Sequence, residues 1–251
     1  MSETSAWHGL GLDALSALRE QRWPALPEGI QMRHVHPDRW VRFHSLPGSK
    51  RYPESDDEYA IMLERHHTVL NELGPTDPEL YVITREWNED SEPLARMPHL
   101  RQVDPDARHW GSHVHDDDFP DYIVYEHEYV SVRPCTRQAL DPLLRLVADE
   151  VIAGVTLAPL DLRWLYHPYD GGGDVYAPSA SVTALKAAHP DWLSTHPTTR
   201  PSTGSSTSSC SSSCGQRSTA ATRSTRTASG TSTVVIWRMS VPCSAAVRTP
   251  C

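Results

Sequence analysis

The chain has 251 residues, with 23 Lys+Arg against 32 Asp+Glu and a formal net charge of −9. That figure joins two unlike parts: residues 1–197 hold all 14 histidines and all 32 acids and carry −15, whereas residues 198–251 carry +6 from arginine alone. So acidic a body repels nucleic acid and anionic lipid, and no stretch pairs a basic face with interleaved aromatics, which excludes the usual nucleic-acid binder.

In chain order, Leu12 to Arg22 reads as a short helix with Leu15 and Leu18 on one face, stopped by Pro24. Nothing before it has the apolar core of a secretory signal, and no run approaches the roughly 18 apolar residues of a membrane span, so the expectation is a soluble cytoplasmic protein. Arg39 to Leu46 alternates as a strand, and Pro47-Gly48 suggests a type II turn. Ser55, followed three residues later by Glu58, opens the clearest helix; Tyr59, Met62, Leu63, His66, Val69, Leu70 and Leu73 keep helical spacing until Gly74. Of the two adjacent histidines, His66 is expected in the core and His67 in solvent.

Glu79 to Glu86 is the next strand, and a helix between two strands suggests a βαβ-like crossover with the two strands paired in one sheet. From Trp87 to Pro120 no period is sustained, although a stretch this long without structure is uncommon and points to a short strand near His109 to Val114. Tyr122 to Val132 has β character. Asp141-Pro142 reads as a helix cap with proline at the first helical position, and Val155 to Ala158 as a short strand. The stretch from Trp164 to Tyr176 predicts a β-hairpin turning at Asp170-Gly171, where glycine supplies positive φ. Trp164 and Tyr166 share one face of its first strand, and Leu165 and His167 the other. A last helix, capped by Ser179 or Ser181, runs to Ala188.

The order predicts an α/β or α+β fold: a single sandwich with a mostly antiparallel or mixed sheet and helices packed on one or both sides. One domain over 1–197, with its core at about 38–194, is the expected unit. Residues 198–251 lack Asp, Glu, Lys, His, Leu, Tyr, Phe and Asn, and 25 of these 54 residues are Ser or Thr. So little apolar surface cannot offset the entropy of ordering, which predicts a disordered low-complexity tail. The composition is also what a GC-rich coding region yields when read out of frame, so a frameshift product is the favoured origin. Four of the five cysteines lie there; Cys210 and Cys214 have weak zinc spacing, and Cys135 reads as structural.

Three constellations could carry chemistry. His34, His36 and Asp38 recur at period two on an extended segment, and His113, His115 and Asp118 form a similar set; imidazoles so spaced can begin a divalent metal site. Lys50 and Arg51 follow a glycine turn and could clamp an anion, against the plainer reading that they pair with nearby acids. Asp170 and Asp174 flank the three glycines, where two acids fall short of a calcium loop. No GxSxG, HExxH, CxxC or phosphate-binding loop occurs, so nucleophilic catalysis has no sequence support.

The segments from His44 to Tyr52 and from Trp164 to Val175 resemble an uncharacterised bacterial domain family that carries HSLPxSKRY-like and LYHPYDGGxDV-like elements. The likeness covers roughly Asp38 to Ser194 and departs at the serine-rich tail. It implies a small cytosolic α/β protein with no established activity, and it places Lys50, Arg51, His167, Tyr169 and Asp170 in characteristic segments. The first functional expectation is a non-enzymatic, immunity-like binding protein whose acidic surface meets a basic protein, with no nucleic acid and no membrane. The alternative is a small enzyme using a divalent metal at His34, His36, His113 and His115, or an anion at Lys50 and Arg51. No other cofactor is predicted.

Overall fold

Alternation in one central strand sets the architecture. Leu80 and Val82 enter one hydrophobic core, while Tyr81 and Ile83 enter a second on the opposite side. A strand buried on both faces must sit inside a sheet covered on both faces. The computed structural model describes residues 11–24, 33, 35–74, 78–115 and 123–193; the tail from residue 198 lies outside them.

The elements are α1 (Leu12–Arg22), β1 (Trp40–His44), α2 (Asp56–Leu73), β2 (Glu79–Asn88), α3 (Pro98–Val103), β3 (Arg108–His115), β4 (Val124–Pro134), α4 (Arg137–Ala148), β5 (Thr156–Pro159), β6 (Leu165–Tyr169), β7 (Gly172–Tyr176) and α5 (Ser179–Ala188). Seven strands form one sheet in the order β1-β7-β6-β5-β2-β4-β3, and every pairing among the described residues is antiparallel. The fold is α+β. The crossover expectation needs correction: β1 and β2 belong to one sheet and run the same way, but three strands separate them, so they do not pair.

Helices α2, α4 and α5 bury their apolar residues on the face that carries Val41, Phe43, Leu80, Val82, Leu157 and Tyr166. On the other face α1 contributes Leu15, and Trp23 follows it onto Trp40, Tyr81, Ile83, Leu165 and Tyr176. Fully burying each such side chain contributes about 1.5–3 kcal/mol. Among the described residues, no helix is long and apolar enough to cross a membrane.

Local signals account for most of the element ends. The Ser55 side chain accepts the Glu58 N–H, and Gly74 closes α2 in the left-handed region at φ 62°. Both adjacent histidines of α2 are buried, however. His67 is 5% exposed because its Nε2 meets the Asp141 carboxylate at 2.6 Å. Asp141 is therefore not a cap: α4 begins five residues earlier, with the Thr136 hydroxyl accepting the Ala139 N–H and Pro142 inside the helix. Ser179 is likewise the first helical residue of α5, and its hydroxyl donates to Asp38 at 2.8 Å.

The unread region holds both α3 and the short strand expected near His109. Arg96 fixes it. Its guanidinium donates to Glu86, to the Thr84 hydroxyl and to the Asp104 carbonyl, and it lies over the Tyr129 ring. The segment is organised by a polar hub, which hydrophobic periodicity cannot reveal.

Candidate functional site

The hairpin of β6 and β7 turns on Asp170 and Gly171, with Tyr169 opposite Gly172. None of its three glycines holds positive φ, contrary to expectation. Gly172 and Gly173 are needed for close approach instead. A Cβ on Gly172 would stand 1.9 Å from the Phe43 carbonyl oxygen, and one on Gly173 2.3 Å from the Tyr166 hydroxyl. The bare backbone of β7 lets edge strand β1 lie against it. Ser45 N–H then donates to the Gly171 carbonyl at 3.1 Å, carrying the chain over the hairpin tip.

There the chain turns at Pro47–Ser49. Gly48 and Ser49 both have positive φ, 64° and 59°, and Lys50 N–H closes on the Pro47 carbonyl. Two left-handed central residues make a primed turn rather than the type II turn read from Pro47-Gly48. This reversal lays Lys50, Arg51 and Tyr52 across the hairpin tip.

Arg51 donates to the Asp170 carboxylate and lies 3.8 Å from Glu150; its guanidinium also sits 5.2 Å over the Tyr52 ring. The Tyr52 hydroxyl donates to Glu150 at 3.0 Å. Lys50 donates to Glu54 at 2.9 Å and to both oxygens of Glu58, at 2.7 and 2.8 Å. Glu58 further accepts the Glu54 N–H. Behind this group the Tyr59 hydroxyl donates to Asp149, and Arg145 covers the Tyr59 ring. The hydrogen bonds to Glu58 and Glu54 raise the Lys50 ammonium, and that to Lys50 lowers Glu58. Bonding to Asp149 raises the Tyr59 phenol.

The result is a surface corner with six carboxylates (Glu54, Asp56, Glu58, Asp149, Glu150, Asp170) against three cations, Lys50, Arg51 and Arg145. Glu150, like Ser49, is a non-glycine residue in the left-handed region, at φ 55°. Such conformations cost about 1–3 kcal/mol each and persist where the surroundings over-determine them.

Of the residues singled out from the sequence, Lys50, Arg51 and Asp170 meet at this corner, and Tyr169 lies beside it. Arg42 stands 4.9 Å over the Tyr169 ring, and burial pushes that phenol up to about 12. His167 is two residues inside the sheet, its Nδ1 3.3 Å from the Thr156 hydroxyl, and burial brings its imidazole down to about 4. It faces Asp174 in the ladder and has no part in the corner.

Of the two histidine sets, His113 and His115 lie on an extended strand, β3, as expected, whereas the segment around His36 is not extended. Arg33 and Val35 are helical and Pro37–Arg39 is a 3-10 turn, so period-two alternation does not apply there. His36 packs edge-on against Trp23, and His113 Nε2 is 3.5 Å from Glu128. His34 and the His115 side chain lie outside the described residues, as does Asp118. Among the described residues no three His, Cys, Asp or Glu side chains are placed to hold a metal. Apart from the corner, a partly open pocket of about 10 Å³ between Phe43, Ser45, His66 and Tyr166 has room for one water at most.

A family model described as "Domain of unknown function (DUF3885)" matches residues 29–197. The chain belongs to the DUF3885 family. No curated protein and no solved structure matches it. The DUF3885 match contains the whole corner, from the Ser45–Tyr52 reversal to the Asp170 turn, and begins after α1.

Sequence reasoning missed Tyr52, Tyr59, Asp149 and Glu150 as parts of this corner. Asp56 and Glu58 looked like complements to the helix dipole and no more. Asp149 and Glu150 follow α4, some hundred positions from Tyr52, and only the packing of α4 beside α2 brings them there.

Proposed function

We propose that this DUF3885 chain is a protein-binding module that offers the acidic, tyrosine-bearing corner to a basic protein, as an immunity protein masks a basic toxin or nuclease. One observation carries the reading. Each cation of the corner is already held by a carboxylate or laid over a tyrosine ring, so the surface keeps an uncompensated negative charge around Tyr52, which is 39% exposed. Tyrosine and arginine fixed in place at the centre of a charged rim is the composition of interface hot spots, and the surrounding field would speed encounter with a basic partner. Two left-handed residues at the same corner add support, since strain is retained where geometry matters more than stability.

The anion-dependent enzyme is the weaker reading, because Lys50 and Arg51 would first have to leave Glu54, Glu58 and Asp170. Affinity capture from lysate of the source cells, at low and at high salt, tests the proposal. A basic protein retained at low salt, released by salt and lost with Glu150→Lys is the expected result. Recovery of no basic partner under either condition overturns it.

A further inference from the structure

At the opposite edge of the sheet, β2, β3 and β4 meet around a fully buried imidazole. His127 of β4 stands directly across the ladder from Ser112 of β3, and Ser112 Oγ is 2.7 Å from His127 Nδ1. On the far side of the ring, Nε2 lies 3.2 Å from Asn88 Oδ1 and 3.1 Å from the Asp90 carbonyl oxygen.

Those two oxygens fix the tautomer. A carbonyl only accepts, and Asn88 Oδ1 is identified as the amide oxygen because it accepts the Asp90 N–H at 2.8 Å. Nε2 therefore carries a proton and donates, which in the neutral ring leaves Nδ1 a lone pair toward Ser112. The Ser112 hydroxyl then donates to Nδ1. His109 Nε2, 3.0 Å from the same Ser112 oxygen, fits as a donor to it. The chain of hydrogen bonds runs one way, from His109 through Ser112 and His127 to Asn88 and Asp90.

A β-bulge produces this alignment. His109 pairs with Tyr129, yet Gly111 pairs with Glu128, so Trp110 is the extra residue. In an unbroken ladder Gly111 would face His127; the bulge moves Ser112 into that place, the re-aiming for which bulges are known. His127 is 0% exposed, so bulk water does not compete for Nδ1, whereas Ser112 is only half-buried.

We propose that Ser112 is a nucleophilic hydroxyl with His127 as its general base, acting on activated carboxylic esters. A hydroxyl bonded to a neutral imidazole that a third group orients is how serine is activated, and no short motif encodes it here because the three parts come from three strands. The third group is an amide with a carbonyl, which orients the ring and steadies an imidazolium by dipoles. In the reaction the Ser112 oxygen bonds to the ester carbonyl carbon as its proton passes to Nδ1. The bond to the leaving oxygen breaks, and that oxygen departs as an alcohol with the same proton. Water, deprotonated by the same nitrogen, then releases the acid and restores Ser112. The site is at β3, the edge opposite β1, and does not depend on the binding reading.

The test treats the full chain with p-nitrophenyl acetate and, separately, with a fluorophosphonate, and maps adducts by peptide mass spectrometry. Ser112 should be the labelled serine, at a rate roughly 10²-fold or more above the exposed serines, the scale of general-base assistance. Ser112→Ala should remove the adduct and His127→Gln should return the rate to that of the others. Should His127→Gln not fold, nitrogen NMR of the unaltered chain reads the tautomer directly, with Nε2 protonated and Nδ1 bare. Labelling spread evenly over surface serines, or a proton found on Nδ1, overturns the proposal.

Discussion

Arg42 and Asp174 stand opposite each other in the β1–β7 ladder and share two hydrogen bonds, of 2.7 and 2.6 Å. Asp174 is 4% exposed, and the guanidinium lies between the Trp40 and Tyr169 rings. Burial opposes the Arg42 charge, and the paired carboxylate outweighs it, raising the guanidinium. The pair ties the edge strand to the hairpin that carries the acidic corner. It also joins a polar row on this face of the sheet, where His167 and Thr156 lead to Arg85 and Glu128.

Breaking that pair from one side leaves a buried charge. Arg42→Met or Asp174→Leu alone should lower unfolding free energy by about 3–5 kcal/mol, whereas the two combined should recover much of the loss. Urea denaturation of the three variants measures this. Strict additivity in the double variant would show that the two groups act independently.

Glycine substitutions in the hairpin should separate by what a Cβ would meet. Gly172→Ala drives a methyl into the backbone of β1, and Gly173→Ala into the Tyr166 ring; overpacking of this kind costs about 1–3 kcal/mol or more. Gly171→Ala meets only the Arg51 and Tyr169 side chains at 3.3 Å and should be mild. Thermal unfolding midpoints in the order Gly171→Ala above Gly173→Ala above Gly172→Ala check the prediction. A Gly171→Ala variant as unstable as the other two would instead make the turn conformation decisive.

Where a sequence pattern is local, it survived into the structure. Ser55 caps α2 and Gly74 ends it; Trp164, just before β6, and Tyr166 within it enter one core, and Leu165 enters the other. Readings that depended on partners distant in the chain did not. His67 looked solvent-exposed because nothing near it announces Asp141, and Asp141 looked like a cap because its distant partner was invisible. Pro142 had the same effect, since a proline at the start of helical spacing suggests a first turn until Thr136 is seen to cap the helix. In the acidic corner Lys50, Arg51 and Asp170 were legible as conspicuous residues, but their convergence was not. It follows from β1 pairing with β7, two strands separated by more than half the described chain.

Trp23 should be the anchor of the helix that lies outside the DUF3885 match. It is 1% exposed, donates its indole N–H to the Leu162 carbonyl at 2.7 Å, and carries Arg39 over its ring. α1 has Leu15 as its one fully buried residue, with Arg19 held at 2.5 Å by Glu128. Trp23→Ala should therefore cost about 3–5 kcal/mol and expose Tyr81 and Leu165. Trp23→Phe should lose only the hydrogen bond and some packing. Hydrogen exchange of α1 in Trp23→Ala distinguishes local release of the helix, with β2 still protected, from global unfolding.

Acid should unfold the domain through two imidazoles held neutral. Burial lowers His66, bonded to the Tyr166 hydroxyl at 2.5 Å, from 6.5 to about 3, and it lowers His167 to about 4. Both folded values lie below the unfolded one, so below pH 6.5 the unfolded chain takes up protons that the folded chain refuses. Their contribution is complete above that pH and is lost as pH falls. Each histidine removes up to about 1.4 kcal/mol per pH unit, so the stability curve between pH 6 and 4.5 should approach a two-proton slope. Glu128, lowered through His113, Arg85 and Arg19 against its burial, has the same sign but acts only below its ordinary value of 4.5. His66→Gln should take one proton from the slope without altering the limb that belongs to Glu128. Denaturant midpoints measured across this range decide the matter, because a flat curve requires both imidazoles to be solvated in the folded protein.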